Sequence, residues 1–306
     1  MPAYSTHCIF AKEMMPFLRQ NADFEINENA VLIGTQGPDI FFFHRIFPWM
    51  KGKSFRKIGS LLHRARPSDI LDAMREYCSF SQNECIAKSY IYGFILHYAL
   101  DRKCHPFVYS YQEKMIKNNP ATNPHTAHNI IEHSMDAYLL NKRFGVAEPV
   151  VFDTACTITN DADISLEIGK LYSFMLPRIL GINIKPSDIV TAVNDTKTVQ
   201  KYVLDATGKK RFFVGIFENV LSPISKNYKF TALMRPRDLE NAKKYGNINN
   251  EIWFSPFDSY KHNESFEDLF ELAKQDAKIM IARFQAGDNT EEITNNISFL
   301  TGVEVK

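Results

Sequence analysis

Two short stretches hold the residues whose types and spacing do chemistry. His97, Asp101 and His105 follow one another at intervals of four, and His128 with Glu132 repeats the interval further on. Four residues on a helix are about 400° of rotation, so each pair lies nearly one above the other on a single face. An imidazole and a carboxylate stacked in this way can grip one ion. The set is histidine and carboxylate without cysteine, which suits zinc and is also compatible with manganese or iron. Asp101 and His97 continue the apolar line Ile86, Tyr90, Phe94. A carboxylate on the side of a helix that should be buried is costly unless a metal or another cation relieves it. His105 precedes Pro106, where the spacing predicts that the first of the two helices ends.

Other residues carry chemistry only in company. His7 alone reads as a core or capping histidine, Asp39 behind Gly37-Pro38 as a cap, and His63 as a surface histidine. His44, His125 and His133 read as structural, and Cys104 beside His105 as a small buried thiol. Of the nine histidines, eight lie at or before position 133. That places the chemistry in the first half and leaves support or regulation to the rest.

The elements that must position these groups read as helices. The chain has 306 residues, 45% hydrophobic and 23% charged, enough for a sizeable core in one body or two. A formal net charge of +1 gives no global field toward nucleic acid or an acidic membrane. The five cysteines form no CxxC pair and read as reduced thiols of a cytoplasmic protein. The start, Met1-Pro2, opens no secretory signal, and no apolar run approaches the roughly 20 residues of a membrane helix.

Helices are predicted over Pro2–Leu18 with Ser5 or Thr6 as cap, Asn27–Thr35, Pro67–Tyr77 with Ser68 as cap, a central helix opening at Ser81 or Asn83, and Asn123–Lys142 stopping at Gly145. Beyond these come Ile164–Leu180, Ser187–Leu204, Arg211–Leu221, Pro236–Lys244, Ser265–Gln285 and a short piece at Glu291–Ser298. Ser265 with Asp268 has the form of a capping box. With no alternating strand run, the fold class is all-α. It divides into a metal-binding helical core over 1–148 and a helical region over 149–306 packed on it. Phe41 to Phe43 read as core. The loop Phe47, Trp49, Lys51 joins exposed aromatics to lysine and is a candidate for peripheral membrane contact, which unchanged liposome association of Trp49→Ala would remove.

Taken together, His7, Gly37-Pro38-Asp39, His63, His97-xxx-Asp101 followed by His105-Pro106, and His128-xxx-Glu132 resemble the bacterial zinc-dependent phospholipase C family over about residues 1–145. That family is all-helical and similar to the S1/P1 nucleases. The resemblance implies two or three zinc ions. Asp39, His63, His97 and Asp101 would hold one; His105, His128 and Glu132 a second; His7 with a bridging Asp101 would serve a third. It also implies that Asp39 orients or deprotonates the attacking water. Three features depart from the family. Its secreted members use the amino group of a mature first tryptophan as ligand, and a chain beginning Met1-Pro2 is expected to go without it. The Asp101-to-His105 interval is shorter, and the second half reads as helical where toxin members carry a β-sandwich.

The expected function is metal-assisted hydrolysis of a phosphodiester, with a phospholipid or small phosphodiester as substrate and no nucleic acid polymer. Two alternatives stand beside it: hydrolysis of soluble phosphoesters or nucleotides, and a non-enzymatic metal-binding scaffold.

Overall fold

The computed structural model describes residues 3–47, 49–145, 152–205, 207–221, 226–236 and 239–305. Twelve α-helices carry the described chain: α1 Tyr4–Asn21, α2 Glu28–Gly34, α3 Arg56–Leu62, α4 Pro67–Cys78, α5 Glu84–Asn118, α6 Pro124–Phe144, α7 Ala162–Leu180, α8 Pro186–Val203, α9 Lys209–Leu221, α10 Leu239–Lys244, α11 Phe266–Gln285 and α12 Thr290–Thr294. Tight 3-10 turns lie at Gly37–Phe43, Thr154–Thr157 and Phe230–Leu233. The strands are two residues each: β1, Trp253–Phe254, pairs antiparallel with β2, Lys261–His262. The class is all-α, as the patterning predicts. The expected boundary at 148/149 falls outside the described residues, as do Met1 and Pro2.

The fold is built around α5. Every residue from Ser89 to Asp101 is buried, so this helix has no solvent face over that span. A single apolar stripe is therefore too narrow a description: a helix covered all round is a core helix. α2 and α11 pack along it, with α1, α6 and α7 also against it.

Contrary to the sequence expectation, α5 does not end at His105. It runs on through Pro106 for 35 residues. Proline removes one backbone N–H bond, here the one Arg102 O would accept. Packing compensates for the loss. The C-terminal turn presses in at this point, with Gly302 at φ +66° so close that a Cβ would meet Pro106 Cγ at 2.7 Å and Arg102 O at 3.0 Å. His105 thus stays in helical register with Asp101 and His97.

Two caps also differ from expectation. α1 has Ala3 at its N-cap, and neither Ser5 nor Thr6 caps it by its own side chain. Instead Asp136 of α6 accepts hydrogen bonds from Ser5 N at 3.0 Å and Thr6 N at 2.8 Å. A carboxylate at a helix N-terminus satisfies free amides and suits the dipole. α4 starts with Arg66 as cap and Pro67 at N1, and Ser68 N donates to Asn296 Oδ1 at 3.3 Å. Both helix starts are closed from distant sequence. Local capping holds at α2 with Asn27, at α6 with Asn123, and at α11 with the Ser265–Asp268 box.

Candidate metal centre

Four segments meet at one buried point. α1 brings His7 in its first turn. The 3-10 turn after α2 brings Asp39, the residue after α3 is His63, and α5 brings His97, Asp101 and His105. α6 adds His128 and Glu132 beside His105. All eight candidate side chains converge, in three groups: His7, Asp39, His97; His63, His97, Asp101; and His105, His128, Glu132. Asp39 and His7, which each have an ordinary reading alone, are both in the cluster.

The geometry is that of a ligand cage. Asp101 Oδ1 lies 3.3 Å from His7 Nε2, and Asp101 Oδ2 lies 3.1 Å from His97 Nε2 and 3.5 Å from His63 Nε2. His63 Nε2 is also 3.4 Å from Asp39 Oδ1. Ligands at about 2.0–2.1 Å from a tetrahedral ion are separated by about 3.3 Å, so these spacings match the edges of such a polyhedron. His128 Nε2 sits 2.8 Å from Glu132 Oε1. Neither oxygen of Asp101 makes a hydrogen bond, nor do Asp39 Oδ1 and the Nε2 atoms of His7, His63 and His97, although all are buried. Buried polar atoms without partners are rare, and here they face one another. A cation at their centre satisfies them, so the residues fit zinc.

Four of the five far ring nitrogens are tied down, and His7 Nδ1 is the exception. His97 Nδ1 donates to Thr35 O at 3.0 Å, His63 Nδ1 to Gly59 O at 2.7 Å, and His105 Nδ1 to Phe299 O at 2.6 Å. His128 Nδ1 donates to Gln112 Oε1 at 2.7 Å. Each bond fixes the ring tautomer that leaves the Nε2 lone pair for a metal. Close contact fixes ring positions too. His7 stacks on His97 at 4.6 Å, and Gly37, at φ +47°, abuts the His97 ring so closely that a Cβ would lie 2.6 Å from Cδ2. Only glycine fits there, and it allows the turn that delivers Asp39. Tyr90 OH donates to Tyr172 OH at 2.7 Å, which donates to Gly37 O at 3.1 Å. A residue of α7 thereby braces the Asp39 turn.

Electrostatics separates the two inner carboxylates. Burial pushes Asp39 up to about 7, with His97 and His63 pulling the other way. Burial opposes ionisation of Asp101 as well, but the surrounding imidazoles, His97 and His105 foremost, hold it well below the usual carboxylate range. Burial lowers His7 to about 4 and holds His105 well below the ordinary imidazole range. Burial also lowers His97, yet Asp101, with Asp39 and the Thr35 carbonyl, raises the group overall. Glu132 is lowered against its burial by His128. Neutral imidazoles and ionised carboxylates are the forms that bind a metal, and protons compete for the same lone pairs.

Some supporting residues escaped the sequence reading. Thr35, Gly59 and Phe299 act through backbone carbonyls, which side-chain type does not reveal. Asp136 and Gln112 left a trace: one is a turn beyond Glu132, the other two turns beyond His105. Cys104 is buried with its thiol pushed up by burial, and it joins none of the ligand groups. His44 accepts from Phe55 N at 3.0 Å and His133 donates to Asn129 O at 2.9 Å, both structural as expected.

The family model for zinc dependent phospholipase C matches residues 6–178, more than half of the chain and a span that contains all eight side chains. Comparison with curated proteins and with solved structures yields no match.

Proposed function

The chain belongs to the zinc-dependent phospholipase C family, and from that premise we propose that its buried cage hydrolyses the head-group phosphodiester of a phospholipid. The observation that carries this reading is Asp101, whose two buried oxygens lack hydrogen bonds while imidazoles of three segments face them. His63, His97 and Asp101, with Asp39, would hold one zinc. His105, His128 and Glu132 would hold another, and His7 with Asp101 would serve a third. Bound zinc supplies hydroxide character at neutral pH and neutralises the phosphate oxygens as charge builds on the leaving group.

The chain's own residues do the rest. Asp39, at the edge of the cage with Oδ1 3.4 Å from His63 Nε2, takes the proton of the attacking water. The water oxygen bonds to phosphorus as the bond from phosphorus to the glycerol oxygen breaks, and Asp39 returns its proton to the departing alkoxide. Diacylglycerol and a phosphorylated head group leave. The carbonyls of Thr35, Gly59 and Phe299 keep the imidazoles aimed and in one tautomer. Residues 149–306 serve as a helical region packed on the ligand core, as the Tyr172 and Phe299 contacts suggest.

Trp49 is 63% exposed and stacks flat on Phe47 at 4.7 Å, next to exposed Lys51, which supports peripheral contact of this loop with a bilayer. Among the described residues no helix is long and apolar enough to cross a membrane. All five thiols are unpaired, which supports a reducing, cytoplasmic setting.

The test is a panel of phosphatidylcholine, other phospholipids, nucleotides and soluble phosphodiesters, run on zinc-loaded and chelated protein. Release of phosphorylated head group that chelation abolishes is expected. Tightly bound zinc with no turnover on any ester would mark a metal-binding scaffold instead, and turnover of nucleotides alone would move the substrate class.

A further inference from the structure

We propose that the outward face of α9 is a docking surface for an anionic phospholipid bilayer. The proposal rests on the phospholipid reading of the cage and concerns a different part of the chain, beyond the span that the family model matches. Phe212, Phe213, Ile216, Phe217 and Val220 recur at intervals of one and three, so they form one stripe about 140° wide. An apolar stripe of this kind normally faces a core. Here it faces solvent: the five side chains are between 51% and 74% exposed. Phe230, also exposed, extends it, and an apolar hollow lies between Phe213, Phe217 and Phe230.

The opposite side of α9 explains this orientation. Glu218, buried, accepts from Thr231 N at 2.9 Å and Thr231 Oγ1 at 2.6 Å. Arg211 donates to Thr231 O at 3.1 Å and Met234 O at 2.8 Å. Asp205, buried, accepts from Gly208 N and Arg211 N at the start of the helix. The polar side is used up in holding the helix down, and only the aromatic side is left outward.

Charge selects the occupant. Lys201, Lys209, Lys210, Lys226 and Lys229, in the first turn of α9 and the segments that flank it, are all exposed. The acids of residues 201–236 are Asp205 and Glu218, both buried and both engaged. Within residues 201–236 the exposed charge is thus of one sign, in a chain whose overall charge is only +1. Aromatics ringed by lysines fit the boundary between acyl chains and anionic head groups. A protein partner recognised by an apolar helix face alone would not call for this ring.

The surface is also fastened to the accessible end of the cage. Of the eight ligand side chains, His128 is the most exposed, at 19%. The segment after α9 is pinned to that end of α6: Lys229 N donates to Thr126 Oγ1 at 2.9 Å, and Asn123 Nδ2 donates to Lys226 O at 3.0 Å. On the other side Lys210 Nζ donates to the carbonyls of Tyr202 and Leu204, and Tyr202 packs against Phe47 and Trp49. The helix therefore joins the aromatic loop to the accessible side of the metal ligands.

The experiment is co-sedimentation of the zinc-loaded full chain with vesicles of phosphatidylcholine containing about a third phosphatidylglycerol, read apart from turnover. The protein is expected to sediment with them. Phe213→Ser with Phe217→Ser is expected to weaken binding about tenfold or more, with cleavage of a soluble phosphodiester unchanged. Lys209→Glu with Lys226→Glu is an independent variant that leaves the apolar face intact; it is expected to weaken binding to the anionic vesicles and not to pure phosphatidylcholine. Sedimentation that depends on these residues supports docking even where no ester is cleaved, a result that counts against the proposed function alone. Three results would overturn the proposal: absence of the wild-type chain from the pellet, equal binding of both variants, or a wild-type dimer by light scattering that the phenylalanine variant dissolves.

Discussion

The metal cage and the outer face of α9 invert the usual partition of side chains in opposite directions. In the cage, a carboxylate and its imidazoles are withdrawn from water with no hydrogen bond at their inner atoms. On α9, aromatics are left in water. Each arrangement is unfavourable for the isolated chain, one through desolvation of charge and the other through exposed apolar area. The two differ in how they are held. Cage ligands are gripped from behind by residues as distant in sequence as Thr35, Gln112 and Phe299. α9 is fixed from beneath, chiefly through Glu218, Arg211 and Asp205 to nearby backbone. The catalysis proposed for the cage needs close orientation of a few atoms, whereas the bilayer contact proposed for α9 needs only area and charge. Substitutions should therefore be felt sharply in the first region and weakly in the second.

The strongest way to sharpen that contrast is Asp101→Asn. It keeps the shape and removes the charge that His7, His63 and His97 share. Zinc content by elemental analysis should fall by about one ion or more per chain, and phospholipid turnover should fall on the order of 10³-fold. Full zinc and full turnover would dissolve the distinction between cage and ordinary core. Next comes Phe299→Ala. Its ring is fully buried against Tyr98 at 4.7 Å and His63 at 5.5 Å. Removal of a buried Phe side chain costs about 3–5 kcal/mol. Denaturant melts of chelated protein should show that loss, because the packing does not depend on metal.

Phe299 also shows what the sequence could and could not reveal. The ligands announced themselves because titratable groups at helical spacing are few and their chemistry is narrow. Most helices announced themselves through apolar period, Asn and Ser caps and Gly145; α3, over Arg56–Leu62, did not. The course of α5 through Pro106 did not, because local proline chemistry argues for a stop and only tertiary packing at Gly302 overrides it. The closures of α1 by Asp136 and α4 by Asn296 were likewise invisible, since both partners are more than 100 residues away. The α9 helix was legible as a helix. Its inverted orientation was not, because the period of an apolar stripe says nothing about which side meets the core.

A smaller effect is expected one shell out from the metal. Gln112→Ala removes the acceptor for His128 Nδ1 and frees that ring to turn. Gln112 itself is half-buried at the edge of the cage, so folding should be little affected. Loss of an outer partner typically costs about 10–100-fold in metal affinity. Competition with a chelator of known affinity should show that loss, and zinc binding equal to the wild type would mean that stacking on His105, at 5.9 Å, suffices to hold the ring.

The smallest effect is expected on α9 and uses the same substitution as at Phe299. Phe217 is 69% exposed, so Phe217→Ala leaves little cavity and forfeits little burial. Alanine is also the better helix former by about half a kcal/mol. The two contributions nearly offset, and the melt of the soluble protein should shift by less than about 0.5 kcal/mol. A loss approaching that of Phe299→Ala would mean that the Phe217 ring is covered in solution, by a second copy or by the chain itself, and the difference between the two regions would vanish. An unchanged melt leaves one reason for five exposed apolar side chains beside a ring of lysines: they contribute when something other than water meets them.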